Sequence, residues 1–421
     1  MINYSTLTSN LKRGILRFSE KISSGLTRPE FKLISQMMYG ILTAQSSQLS
    51  SIARALDEKI SLKKIIDRLS SNVSKFSGEV KLFENYVKQT KSKIKNNSIL
   101  VIDGGDLVKP CSTKMESLCR VRDGSTGEYG NGYHMLEATA LGANNKMPIP
   151  VYTKIYSSED KGFVSEDNEV LECLKSLSRN FKKSNIRALD RGYDVNMYYE
   201  YFLDRDEKFV IRVKKNRDVL YNGEKINIYD LAKKFKGKYS LKFQNKNGLK
   251  VECKITMITV SLPCAPQKEL ELVIVYGFGK IPMMLFTNLK SNDEKLPVII
   301  AKVYLMRWRI EEYYKFKKQQ FRFEDIRVRS LKSIKNMNLF ITIAIGYLGI
   351  MSEKQEERRV VLQLIQVSKR IYETPRFVYY ALADGLRYIF NRCKQGIGHM
   401  LKKVPKSAQI CLFQQSEFNV A

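Results

Sequence analysis

The sequence predicts an α/β protein: a core built on a mixed sheet, interrupted by a β-rich insertion and flanked by helical regions at both ends. Three observations predict it. Apolar residues recur at helical spacing up to about residue 97 and again after about 351, with a strand-and-helix alternation between. Two short apolar runs, SILVID (98–103) and NIRALD (185–190), each end on an aspartate, as buried strands ending at a turn do. Between 214 and 290 several strand-like segments follow one another with turn residues between them. With 421 residues, 43% of them hydrophobic, the chain is long enough for two or three domains with real cores.

Residues 1–97 read as helical. Thr27 is a candidate N-cap with Glu30 three positions on, and Phe31, Ile34, Met37, Met38, Ile41 and Leu42 follow at helical spacing. A short second helix falls within 46–60. A third, within 61–73, carries Lys63, Lys64 and Arg68 outside an apolar stripe of Leu62, Ile65, Ile66 and Leu69. Short basic helices in series resemble a helix-turn-helix DNA-binding module with the third as groove reader; a plain bundle with its lysines in solvent reads the same way. A basic helix over 83–97 ends at Asn96–Asn97.

Residues 98–213 form the first part of the core. After the strand ending on Asp103 comes a loop from Gly104, then strands over 134–142 and 147–157 joined by a turn at Asn144–Asn145. A helix over 165–181 opens with acids, which favour a helix N-terminus. The strand ending on Asp190, a helix over 195–203 and a strand over 208–214 complete the order. Three strands, helix, strand, helix, strand is the ribonuclease-H-like layout, in which the first and fourth strands are neighbours. Asp103 and Asp190 then fall side by side; Asp106 is the fallback for Asp103. Residues 214–290 read as the inserted β-rich subdomain, with a helix over 226–235, strands over 238–244, 249–262, 270–278 and 282–289, and turns at 245–248 and 277–280. Residues 291–351 form the second part of the core, and 352–421 a helical C-terminal region.

The formal charge of +29 makes a polyanion the expected partner, nucleic acid or an acidic membrane surface. No amphipathic anchor marks either end, and the longest apolar run, 339–351, is shorter than a membrane span and reads as a buried helix. The N-terminus has no apolar signal core, so a cytoplasmic protein is expected. Seven scattered cysteines without a CxxC pair, and only His134 and His399, speak against zinc and for reduced thiols.

The most informative stretch is AKVYLMRWRIEEYYKFKKQQF, 301–321. On one continuous helix, Tyr304, Arg307, Glu311 and Lys318 fall near 0°, 300°, 340° and 320°, at about 100° per residue. All four then share one face. Val303, Met306, Ile310, Tyr313 and Tyr314 fill the arc that packs inward. Glu312 points away, so Glu311 is the functional acid.

This spacing, Tyr-x2-Arg-x3-Glu-x6-Lys, resembles the YREK signature of the insertion-sequence-4-type DDE transposases. The resemblance spans about 98–350, since the family also expects two upstream strand-end aspartates. It implies a catalytic core in which Asp103, Asp190 and Glu311 are catalytic and hold two Mg²⁺ ions, with Mn²⁺ a possible substitute. Such ions stabilise the charge that builds up on oxygen during phosphodiester cleavage and strand transfer. The implied partners are double-stranded DNA, as transposon ends and target, and a second copy of the chain on those ends, in the bacterial cytoplasm at the nucleoid. Tyr304, Arg307 and Lys318 suit DNA phosphates, and Trp308 suits an unstacked base. Two alternatives stand beside this: a ribonuclease-H-like nuclease that cuts without joining, and a transposase-derived protein that only binds DNA.

Overall fold

The computed structural model describes residues 3–401 apart from 125, 144–145, 245–249, 355–356, 371–375 and 393–394. The expected turns at Asn144–Asn145 and 245–248 lie outside the described residues, as do Cys393 and Cys411. Five helices open the chain: α1 (Tyr4–Ile22), α2 (Arg28–Ala44), α3 (Leu49–Leu56), α4 (Leu62–Lys75) and α5 (Glu79–Lys91). α2 starts as its sequence dictates. Thr27 Oγ1 accepts from the Glu30 amide, and the Glu30 carboxylate accepts from the Thr27 amide, so two orphan donors are satisfied reciprocally.

The core sheet holds β1 (Ile99–Val108), β2 (Cys119–Arg122), β3 (Tyr129–Leu141), β4 (Pro148–Tyr156), β5 (Ile186–Leu189) and β6 (Phe209–Arg212). Two helices lie between its strands, α6 (Glu166–Asn180) and α7 (Asn196–Arg205). The main strands lie in the order β4-β3-β1-β5-β6. The β4–β3 and β3–β1 pairs are antiparallel, and β1–β5 and β5–β6 parallel. The first and fourth of them are therefore neighbours, as the sequence predicts. The insertion adds β7 (Asp218–Tyr221), β8 (Glu224–Asn227), α8 (Ile228–Lys233), β9 (Tyr239–Gln244), β10 (Lys250–Leu262), β11 (Ala265–Tyr276) and β12 (Met283–Thr287). β12 pairs with β6, so the insertion continues the core sheet, and one mixed sheet of 12 strands runs through the α/β fold.

Helices cover both faces. Alternation along β1 sends Leu100 and Ile102 into a core with α6, α7 and α8, and Val101 and Leu107 into the opposite one. That second core holds α1–α5 and the C-terminal helices α10 (Arg309–Gln320), α11 (Leu331–Glu353), α12 (Arg358–Val367) and α13 (Tyr379–Arg392). A third core packs α9 (Leu296–Met306) on β6 and the insertion strands.

The structure corrects the sequence reading in four places. β1 does not stop at Asp103; it runs on through Gly104–Gly105 to Val108, paired to β3 throughout. β2 and the β7–β8 hairpin were not anticipated. The hairpin turns at Asn222–Gly223, whose φ values of 51° and 84° are the left-handed pair that Asn-Gly favours. The 301–321 stretch is two helices, not one. Finally, α11 is long and apolar enough to cross a membrane, although its run seemed too short. It lies buried inside the fold, packed on β4 and α2.

Candidate active site

The β1–β5 register decides the positions of two acids. Val101 pairs with Ala188 in parallel, and Asp103 and Asp190 each lie two residues further on. Both thus stand at equivalent positions on adjacent chains. Asp190 closes its own turn: Oδ1 accepts from the Gly192 amide at 2.6 Å and caps the 3₁₀ turn Arg191–Tyr193. Asp103 Oδ1 accepts from the Gly104 amide at 3.1 Å, and its backbone carbonyl accepts from the Tyr314 hydroxyl of α10 at 2.7 Å.

Glu311, from the first turn of α10, reaches the same cleft, and Arg307 ties it there. Arg307 Nη1 donates to Asp103 Oδ2 at 2.8 Å and Nη2 to Glu311 Oε1 at 3.0 Å. The Arg307 side chain is 9% exposed, so these bonds form largely out of water. Burial pulls its pKa down, but Asp103, Tyr304, Glu311 and Asp190 together hold it above the usual arginine value. For Asp103 the balance runs the other way. Burial raises its pKa, Arg307 lowers it, and the charges of Asp190 and Glu311 raise it again, to about 7. Two acids, from β1 and α10, therefore bond one cation, and the charge of a third, at the end of β5, acts on it as well.

The helix breaks where this happens. The amides of Arg307, Trp308, Ile310 and Glu311 each donate to the carbonyl three residues back, the tighter 3₁₀ pattern. The expected single face is therefore split between α9 and α10. Tyr304, on α9, is 2% exposed and packs in the third core, its hydroxyl toward Arg212. Trp308 is half-buried, its ring 5.9 Å from that of Phe278. Lys318 bonds Asp106 at 2.6 Å and Glu324 at 3.0 Å, so the fallback acid Asp106 serves as its counter-ion. On α4, Lys63 and Lys64 are exposed, whereas Arg68 is held by both oxygens of Glu58 at 2.7 Å.

Beneath the acids lies an ion pair that the sequence reading missed. Lys317 of α10 is fully buried, and its three ammonium protons go to Glu137 Oε1 at 2.6 Å, Asn338 Oδ1 at 2.6 Å and Thr342 Oγ1 at 3.0 Å. Glu137, on β3, sits directly opposite Asp103 in the ladder. Nothing in a basic run of helix marks Lys317 apart from Lys318. A one-residue difference in helical phase buries one fully and leaves the other half-buried beside Asp106 and Glu324, and only the partner acid on β3 reveals which.

Carboxylate oxygens are hard donors suited to a small divalent cation. Among the described residues no three acidic, histidine or cysteine side chains already gather round one point at ligand distance. Arg307 takes that space between Asp103 and Glu311. As a stand-in cation on those carboxylates, it marks where positive charge is accommodated, so the donor set fits a metal once the guanidinium yields its place.

Residues 155–346, from the end of β4 into α11, match the transposase DDE domain family. The match includes Asp190 and Glu311 and begins beyond Asp103. Among solved structures, the chain is similar to a piggyBac transposase synaptic complex with hairpin DNA determined by cryo-electron microscopy. The identity is 11% and the TM-score 0.43, over 96% of this chain and 84% of that one. No curated protein matches the sequence.

Proposed function

We propose that this chain, a DNA transposase by the DDE domain at residues 155–346, cuts transposon ends and joins them to target DNA at the Asp103–Asp190–Glu311 cleft. The observation that carries the proposal is the bridging of Asp103 and Glu311 by Arg307 with Asp190 alongside. Residues more than 200 positions apart meet here in a cleft rich in carboxylates. The core is ribonuclease-H-like: the strand order β4-β3-β1-β5-β6 and the parallel β1–β5 pair that sets Asp103 beside Asp190 support that reading. The insertion-sequence-4 subtype rests on the spacing of Tyr304, Arg307, Glu311 and Lys318.

Asp103, Asp190 and Glu311 would hold two Mg²⁺ ions, or Mn²⁺ in their place. A bound divalent ion neutralises charge on the phosphoryl oxygens and lowers the pKa of an attacking water or hydroxyl. In the cut, the water oxygen bonds to phosphorus while the bond to the 3′-oxygen breaks, and that oxygen leaves with the electron pair and becomes a hydroxyl. In joining, this hydroxyl attacks a second phosphodiester in the same way. Arg307, freed from the acids, has the planar fork that clamps a phosphate bidentately. Lys318 adds a second cation one face over, Trp308 offers a ring for an unstacked base, and exposed Lys63 and Lys64 of α4 hold flanking duplex. The buried ring of Tyr304 supports Arg307 from beneath, its centroid 5.8 Å from the guanidinium. The working unit is a homodimer, one protomer at each end, in the bacterial cytoplasm on nucleoid DNA.

The test uses labelled duplex DNA carrying the repeats that flank the coding region. Glu311→Gln should bind it as the wild type does and fail to cut it in Mg²⁺ or Mn²⁺. Undiminished cutting by this variant would remove Glu311, and with it the proposed site.

A further inference from the structure

Tyr193 is the last residue of the 3₁₀ turn that Asp190 caps, so its place is set by the same turn that presents the acid. Its amide donates to the Asp190 carbonyl at 3.2 Å, and its carbonyl accepts from the Val195 amide at 2.9 Å. The ring leans on Tyr198, 6.1 Å between centroids. Tyr198 is fixed in turn by donating its hydroxyl to Asp167 at 2.5 Å. The Tyr193 ring is therefore preorganised before any substrate arrives.

Its hydroxyl reaches over β1. A Cβ placed on Gly104 would lie 3.7 Å from that oxygen, so any longer side chain at 104 would cover it. The glycine leaves the hydroxyl open to the cleft. Among the described residues it makes no hydrogen bond, and the residue is only half-buried. Asp103 and Asp190 are the charges nearest to it. As a phenol the group is protonated at neutral pH: a neutral donor among acceptors, and a poor nucleophile.

Carboxylates cannot donate to a phosphate. A site built from Asp103, Asp190 and Glu311 thus lacks a neutral hydrogen-bond donor for the phosphoryl oxygens, and Tyr193 has one with no other use. We infer that Tyr193 is a substrate-binding residue of this site, its hydroxyl donating a hydrogen bond to one non-bridging oxygen of the scissile phosphate. The inference rests on the cleavage reading above. A donor aimed where charge develops contributes most in the transition state, so its loss should slow cutting rather than weaken binding.

The experiment compares wild type, Tyr193→Phe and Asp190→Asn, all full length, on end DNA whose scissile phosphate carries sulfur at either non-bridging position. Phenylalanine keeps the ring against Tyr198, and an unchanged melting temperature verifies that the fold survives. Tyr193→Phe should bind the DNA as the wild type does and cut it about 10- to 100-fold more slowly, the loss of one hydrogen bond to a charged group. One of the two sulfur isomers should slow the wild type, because sulfur accepts poorly. Tyr193→Phe should be indifferent to that isomer. A wild-type rate in Tyr193→Phe would overturn the assignment. So would a slowed rate with both sulfur effects intact, which is what a merely structural role produces, or a covalent protein–DNA adduct through the phenol. If the wild type itself fails to cut, or Asp190→Asn cuts as well as the wild type, the failure lies in the cleavage reading, and the inference falls with it.

Discussion

Replacing Lys317 by methionine tests whether the buried pair with Glu137 holds the site together. Both side chains are fully shielded from water. Burial lowers the Lys317 pKa, and Glu137 opposes that shift, so the pair persists because each charge has only the other to neutralise it. Removing one partner of such a pair costs about 3–5 kcal/mol, since the remaining charge stays buried. Glu137 Oε1 also accepts from the Thr153 and Thr342 hydroxyls, which places Lys317→Met at the lower end, about 3 kcal/mol. Lys317→Met with Glu137→Leu leaves no charge behind and should lie within about 1 kcal/mol of the wild type, as apolar replacements of buried pairs commonly do.

Calorimetric unfolding of the four proteins in this cycle gives the coupling energy. It should exceed about 2 kcal/mol. The pair also ties α10 to β3 opposite Asp103, so Lys317→Met should reduce cleavage as well as stability. A coupling below about 0.5 kcal/mol would show that the two groups stabilise independently and would refute the pairing argument.

Two further outcomes follow from the site and its surroundings. The folded pKa of Asp103 lies at about 7 against an ordinary 3.8, so the folded state binds its proton more tightly. That penalty is absent below pH 4, grows between pH 4 and 7 and is complete above 7. In chelator, Asp103→Asn should therefore equal the wild type near pH 4 and exceed it at pH 8, by at most about 4 kcal/mol at 1.36 kcal/mol per pH unit. Matching melting temperatures at pH 8 would contradict the burial argument. DNA binding should weaken about 10³- to 10⁵-fold between 50 and 200 mM salt if six to ten phosphates are neutralised. In the same titration, Lys63→Ala with Lys64→Ala should lower the salt slope by about 2, and Arg68→Ala should leave it unchanged, because Glu58 already holds Arg68. A slope that responds only to Arg68 would move the contact off the exposed face of α4.

The paired aspartates were legible because apolar strands ending on polar residues are a local pattern, and parallel pairing converts that pattern into proximity. Gly104–Gly105 misled for a physical reason. A glycine pair after a strand usually marks a turn, but here β1 continues, and a Cβ on Gly105 would come within 3.4 Å of the Tyr314 ring. The glycine admits α10 rather than bending the chain. The Asn222–Gly223 hairpin carried a strong short-range turn signal, an Asn-Gly pair, and was readable from sequence. Tyr193 was visible only as part of a strand-breaking RGYD. Its meaning depends on Gly104, 89 positions away, and no local pattern connects the two.

The break at Arg307–Trp308 has no proline or glycine to announce it, and its cause lies in the packing. A straight helix from Leu296 to Gln320 would be about 37 Å long at 1.5 Å per residue. Its two halves pack in different cores. α9 packs in the third core with the insertion strands, through Ile300, Val303 and Tyr304. α10 packs in the core shared by β1, β3 and the C-terminal helices, through Ile310, Tyr313 and Phe316. Arg307 stands at the seam, where the chain leaves one core for the other and the helical hydrogen bonds tighten to reorient the axis. The seam falls at Asp103, midway along β1 and beside the carboxyl end of β5, so the same change of core that breaks the helix turns Arg307 and Glu311 toward Asp103. The acid on the helix therefore meets the acids on the strands because the insertion takes α9 for its own core. A substitution that weakens α9 packing at Ile300 or Val303 should be felt in the cleft, although neither residue faces it.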